Sequence, residues 1–407
     1  MNDQSPQSSP GMFNPFSPDF LRNPYPSFHM LRSTQPTMKT PMGFWVATRY
    51  EDVAAILKDR RFGKGFEQRT IQRYGEEVFR HPAYASMRHW MLVQDPPDHT
   101  RLRGLVSKAF TAKRIEGLRP QIQKLVDELL DRAEGRGTMD FIRQFAYPLP
   151  LNVICDMLGI VREDRDRFEF GGKATGRLID PTPMTEEELQ AANDSFIQWE
   201  AYFREMFEDR RKNPKDDLTT VLVQAEEDGD RLSESELVAN MILLFGAGHE
   251  TTVNLLGNGM LALLSDRTQF ERLKAEPELV PGAVEEMLRY DSSVQMTGSC
   301  AMEDVEIGGV TIPQGEHVLC LLGAANRDPE RFGEPDDFRI DRKDVRPMSF
   351  GGGIHHCLGA QLARVEAEIA FRTILERLPD LELDLEGEPD WRPTFTLRGL
   401  MSLPVKW

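Results

Sequence analysis

Four groups of residues in this chain are of types and spacings that could do chemistry. The first is Cys357, in the run Phe350-Gly-Gly-Gly-Ile-His-His-Cys-Leu-Gly-Ala360, ahead of an apolar, alanine-rich helical pattern over residues 358–378. A thiol at a helix start meets unpaired backbone N–H groups, whose partial positive charge favours the thiolate. Glycines at 351–353 allow a sharp turn and close approach to a flat partner, and Gly359 leaves the same face bare. The arrangement suits a soft anionic ligand held toward a metal. A lone cysteine after a loop is otherwise a buried core residue. The second group is Glu250-Thr251, within Ala247-Gly-His-Glu-Thr-Thr252, the polar interruption of an apolar run over 241–257. A carboxylate is rarely buried without a partner or a task, and threonine can bond back to helix carbonyls and bend the helix. The third is His99 and Arg103, four apart on one helical face. An arginine fork suits an anionic carboxylate, and a solvated polar face is the plainer reading. The fourth is Glu286 and Arg289, an i, i+3 ion pair worth little if it lies at the surface.

These groups need elements to position them. Ser233 and Glu236 form a capping box that opens a helix running to about Leu264. Such a helix is roughly 45–50 Å long, enough to cross a molecule of this size, and its centre is apolar all round and therefore buried. Gly246 and Gly248 weaken it by about 1 kcal/mol each. Pro281 suits the first turn of a helix that continues through Tyr290. Residues 43–49 read as a strand, 51–59 as a short helix, and 60–92 as a loop-dominated stretch rich in arginine and aromatics. A helix follows Pro96-Pro97 to about Phe110. Amphipathic helical patterns cover 115–135 and 184–212, and an apolar connector and helix cover 146–159. Residues 304–312 form a hairpin about Gly308-Gly309, 317–322 another strand, and 394–403 has β character. The fold class is mainly α with small β-sheets (α+β).

The chain has 407 residues, 40% of them hydrophobic, and a net charge of −17, a balance that argues against non-specific nucleic-acid binding. The four cysteines, at 155, 300, 320 and 357, form no C-x-x-C pair, so neither a zinc site nor a redox dithiol is suggested. They fit a reducing cytoplasm. Residues 1–18, rich in serine and proline, read as a disordered tail without signal-peptide character. No run approaches the ~18–20 apolar residues of a membrane span. Length alone would allow two or three domains. The absence of a repeat or glycine-rich linker, and the need for distant groups to meet, point to a single domain over 19–407.

The spacing F-x-x-G-x-x-x-C-x-G at 350–359 resembles the haem-thiolate signature of the cytochrome P450 family. Three more motifs occur in the family's order: H-x-x-x-R at His99/Arg103, A-G-x-E-T-T at 247–252, and E-x-x-R at Glu286/Arg289 with a later partner, Arg342. The resemblance runs from about residue 40 to the end and is to the soluble bacterial type. It implies a single domain with a long central helix, and haem b as cofactor with Cys357 as the iron ligand. Haem contacts would come from His99, Arg103, Ala247, Gly248, Thr251, Phe350, Gly351, Gly353, His355 and Gly359. Glu250 and Thr251 would deliver protons to dioxygen, and Glu286, Arg289 and Arg342 would be structural.

By the same resemblance, one oxygen atom of O2 enters a small molecule by hydroxylation or epoxidation. Residues 62–92 and 163–178, with Leu243, Leu244, Ala247, Val294, Met296, Phe395 and Thr396, would line or cap the substrate pocket; these walls are mostly apolar and imply a lipophilic substrate. No flavin, nicotinamide or iron–sulfur fingerprint appears, so NAD(P)H-derived electrons would arrive through a ferredoxin or flavodoxin. Lys108, Lys113, Arg114 and Arg364 could form its basic docking patch, or be scattered solvated charges. The type resembles secondary-metabolism hydroxylases that tailor polyketides and macrolides, and the protein is expected to be a monomer. A peroxygenase or coupling enzyme on the same fold, and a haem sensor or carrier without turnover, remain open. Two positions depart from the family pattern. Ser299 stands where an arginine usually pairs with a haem propionate, which predicts weaker haem retention and a larger share for His99, Arg103 and His355. Ser293 stands where proline is usual, which predicts a freer pocket wall.

Overall fold

A computed structural model describes residues 13–108, 110–168, 171–182, 184–227 and 230–407. The central helix spans Glu234–Ser265. Its start is the capping box expected: the Glu236 N–H donates to Ser233 Oγ and the Ser233 N–H to Glu236 Oε2 at 2.8 Å. The helix joins two apolar clusters. Leu237 to Phe245 pack with Phe196, Trp199, Phe203 and Phe207 in one. Val253 to Leu263 pack with Phe141, Phe145, Met287 and Phe371 in the other. The weak helix formers lie at the join. A Cβ on Gly246 would sit 2.7 Å from Thr175, and one on Gly248 3.0 Å from Ile154. These two glycines let the helices Gly171–Ile179 and Pro148–Leu158 cross the central helix closely, a packing reason for residues that cost helix stability.

The cysteine loop is carried between Met348–Phe350 and the helix Ala360–Arg377. It rests on the helix Tyr50–Lys58, which in turn packs against a five-stranded sheet. The strand order is Thr37–Lys39, Trp45–Ala47, His317–Cys320, Thr297–Ala301, Phe62–Gly63. Trp45–Ala47 runs parallel to His317–Cys320, and the other pairs are antiparallel. The hairpin Val305–Ile307 with Val310–Ile312 turns on Gly308 and Gly309, both with positive φ, as its sequence predicts. Among the described residues no helix is long and apolar enough to cross a membrane.

Three expectations need correction. Residues 60–92 are largely helical: Phe66–Tyr74 and Pro82–Met87 are α-helices with a 3-10 segment, Glu76–Arg80, between them. Their buried Phe66, Thr70, Ala83, Tyr84 and Met87 are spaced to face inward, while arginines such as Arg88, 4.6 Å over the Phe79 ring, mask the period. The tail is ordered at its end: Phe13 is buried against Phe20 and Phe395, and Ser17 caps a helix, Pro18–Arg22. Residues 1–12 lie outside the described residues. The β character of 394–403 amounts to single bridges, Val294↔Leu397 and Trp391↔Leu400. The terminal strand is Pro404–Lys406, paired with Thr138–Asp140 and Glu382–Leu383.

Candidate active site

A cavity of about 850 Å³ lies between the middle of the central helix and the cysteine loop. Phe350, Gly351, His355, Cys357 and Gly359 form one wall; Leu243, Leu244, Ala247, Gly248, Glu250 and Thr251 face them. Val294, Met296 and Thr396 close one side and His99 and Arg103 another. The loop's shape follows from its glycines. Gly351 has φ 67° and ψ −150°, a region essentially restricted to glycine. A Cβ on Gly351 or Gly359 would meet nothing within 4 Å, so the wall beside the sulphur is bare backbone. Gly353 does not line the cavity. At φ +61° its missing Cβ would lie 1.9 Å from the Leu57 carbonyl oxygen; it seats the loop on the helix Tyr50–Lys58 instead.

The Cys357 N–H donates to the Phe350 carbonyl at 2.9 Å, closing the loop. Burial pushes the thiol up; the N–H groups of Gly359 and Ala360 and the charges of Arg103 and Arg364 pull it down, and burial prevails. The helix-start donors are thus at the sulphur. His99 and His355 stack with ring centroids 4.2 Å apart. Both ring nitrogens of His99 and Nε2 of His355 are buried without a hydrogen-bond partner. Arg103 donates to the His356 carbonyl at 2.8 Å.

On the opposite wall, Glu250 accepts from Arg392 at 2.6 Å, and both side chains are largely buried. Thr251 Oγ1 donates to the Ala247 carbonyl at 2.8 Å, one turn back. His249 points away, bonded to the Tyr147 carbonyl, and burial lowers it to about 4. Behind the loop, Glu286 and Arg289 pair at 2.7 Å with no exposure, and Arg342 Nε joins Glu286 at 3.2 Å. This is a buried network, not the weak surface pair that spacing alone allows.

A family model described as Cytochrome P450 matches residues 175–404. Cytochrome P450 107B1 of Saccharopolyspora erythraea is 47% identical over 89% of each chain. Polyketide biosynthesis cytochrome P450 PksS of Bacillus subtilis is 40% identical over 97% of this chain and 98% of its own. The solved structure of P450BioI in complex with a hexadec-9Z-enoic acid ligated acyl carrier protein superposes with a TM-score of 0.89 at 41% identity, covering 96% of this chain and 99% of the other.

The chain belongs to the cytochrome P450 family.

P450s are monooxygenases that use haem b, O2 and electrons from NAD(P)H. The residues of this P450 fit that cofactor. Cys357 is a lone thiol on the cavity wall that would hold the iron of a haem, a group that carries its own further ligands. The bare glycine wall admits a flat ring, and the orphaned His99 and His355 nitrogens beside Arg103 await an acceptor.

One further expectation for this P450 is corrected. Phe395 does not line the cavity: its ring packs on Phe20 at 5.4 Å and Phe13, behind the wall that Thr396 forms. Beside the cavity, the Arg398 N–H donates to the Ser293 carbonyl at 2.8 Å and the Gln295 N–H to the Thr396 carbonyl at 2.9 Å. Of the four basic residues proposed to face a redox partner, Arg364 is ion-paired with Glu285 and stacks 4.5 Å over Phe350, and Arg114 pairs with Asp216 at 3.2 Å. Lys108 and Lys113 are exposed.

Sequence reasoning missed Arg392, Lys64, Trp90 and Glu366. Lys64, Trp90 and Glu366 line the cavity, Trp90 with an orphaned Nε1. Glu366 is buried, with its carboxyl pushed well up by burial. Only Glu366 carried a signal, an acid on the buried face of an apolar helix.

Proposed function

We propose that this P450 oxygenates a lipophilic small molecule in the cytoplasm, with Cys357 as the thiolate ligand of its haem. The supporting observation is the pairing across one cavity of a lone cysteine on bare backbone with the Glu250-Thr251 step of a buried helix. Haem held there supplies the activation of O2. Arg103, with His99 and His355, would receive its propionates. Thr251 places a hydroxyl at the cavity wall, and Glu250, anchored by Arg392, places a carboxylate on the same wall, the two groups that would deliver protons there. Leu243, Leu244, Val294 and Met296 would exclude water from the reacting carbon and orient an apolar substrate.

Electrons would come from a ferredoxin or flavodoxin, docking where Lys113 and Ile354, 50% exposed, flank the cysteine side. Relatives named for polyketide biosynthesis, and P450BioI bound to an acyl-loaded carrier protein, support an acyl- or polyketide-derived substrate. The CO-difference spectrum of the reduced protein tests the assignment. A thiolate-type Soret band is expected and must vanish in Cys357→Ala; a band surviving that change would remove Cys357 from the iron. Turnover with ferredoxin, reductase and NAD(P)H, and little with peroxide alone, separates a monooxygenase from a peroxygenase.

A further inference from the structure

Lys64 directly follows the strand Phe62–Gly63. That strand pairs antiparallel with Thr297–Ala301 in the register Phe62↔Ala301, Gly63↔Cys300. Continued one step past its last pair, that register would set Lys64 opposite Ser299, and residues opposite one another across an antiparallel pair put their side chains on the same face. Ser299 is the position at which the family pattern has its propionate-binding arginine.

The Lys64 ammonium donates to the Gly298 carbonyl at 3.0 Å, and among the described residues it has no ion-pair partner. The nearby Asp95 carboxylate is engaged by the backbone N–H groups of Lys64 and Gly65, at 2.7 and 3.1 Å. Lys64 lines the same cavity as His99, Arg103 and His355. Burial lowers it to about 8. An ammonium carries three donors, of which one is used here. Lys64 is partly buried, and a partly desolvated cation gains from an anion beside it.

We propose that Lys64 binds a haem propionate, supplying from the neighbouring strand the cation that Ser299 lacks. The inference rests on the haem-thiolate reading. It replaces the expectation of weak haem retention: the cation has moved one strand across instead of being lost.

Transfer of haem from the holoenzyme to excess apomyoglobin, followed in the Soret region, measures retention. Lys64→Met is expected to speed haem loss on the order of tenfold, the worth of one charge-assisted hydrogen bond. Lys64→Arg should stay near the parent rate. Ser299→Arg should change little in the parent but restore slow loss in the Lys64→Met background; no restoration overturns the shared-face placement. Lys64→Gln keeps a donor for the Gly298 carbonyl and removes the charge. It should lose haem as fast as Lys64→Met, and it decides the matter if Lys64→Met does not fold. A parent-like rate in Lys64→Gln makes Lys64 a structural residue and overturns the proposal. Failure of the P450 reading looks different: the parent itself would give no thiolate-type Soret band with CO.

Discussion

The buried Glu250 carboxylate and the Arg392 guanidinium, 2.6 Å apart, are coupled in position as well as charge. Arg392→Met removes an ion-pair partner from a buried acid, which should cost about 2 kcal/mol of stability. The thermal midpoint of the holoenzyme should fall while the CO-bound Soret band keeps its thiolate position; an unchanged midpoint would mean that Arg392 contributes nothing to holding Glu250. His249 makes a pH prediction. Burial holds it at about 4 when folded, against about 6.5 in the unfolded chain. Between those values the unfolded chain binds more protons, so stability rises with pH through the window and is fully present above it. Acidification across the window removes on the order of 3 kcal/mol. His249→Gln should therefore reduce the difference in thermal midpoint between pH 7 and pH 5. His317, lowered to about 3, leaves the variant some remaining slope. A variant as acid-sensitive as the parent would rule His249 out as a source of the effect.

At the scale of elements, the cysteine loop is shaped by two glycines that act differently. Toward the rest of the protein Gly351 needs only its backbone conformation, because a Cβ there would project into open cavity space. Gly353 needs conformation and space, because the Leu57 carbonyl lies where its Cβ would go. Gly351→Ala should cost about 1–3 kcal/mol of backbone strain. Gly353→Ala should do more, displacing the loop from the helix Tyr50–Lys58. The haem-to-protein ratio after purification should fall in the order parent, Gly351→Ala, Gly353→Ala. The reverse order would show that the seating contact is dispensable.

Across the whole molecule, Arg289 fastens an irregular segment to a helix. It grips both oxygens of Glu286 and donates to the carbonyls of Asn326, Pro335 and Asp337. Arg342 reaches the same carboxylate and the carbonyls of Gly333, Glu334 and Asp337. The segment between residues 326 and 342 has little regular structure, so these bonds take the place of a ladder. Arg289→Met leaves Glu286 buried without that guanidinium and should cost about 3–5 kcal/mol, a large share of a typical ~5–15 kcal/mol stability. Poor soluble yield or a sharply lowered thermal midpoint is the expected outcome. Arg289→Lys should not rescue it, because an ammonium lacks the planar fork. A parent-like Arg289→Met would make the network ornamental.

Much of this protein was legible in its sequence because the relevant chemistry is local. The Ser233/Glu236 capping box, the glycine-bounded cysteine, the polar segment at 247–252 and the Gly308-Gly309 turn are each written within a dozen residues, and the capping box and the turn form as read. Order among such segments carried the family. What the sequence could not supply was partnership between distant residues. Arg392 reaches Glu250 across 142 positions and Lys64 reaches Gly298 across 234, and neither has a spacing that could be read. The helices within 60–92 were hidden because Arg69 and Arg73, which line the cavity, interrupt the apolar period. Phe395 was assigned to the cavity with Thr396, yet the ordered Phe13 and Phe20 draw it behind the wall. Strand register and helix crossing decide which face a side chain occupies. They are set by packing of the whole chain, so only the tertiary structure could bring Lys64 to the Gly298 carbonyl at the cavity wall.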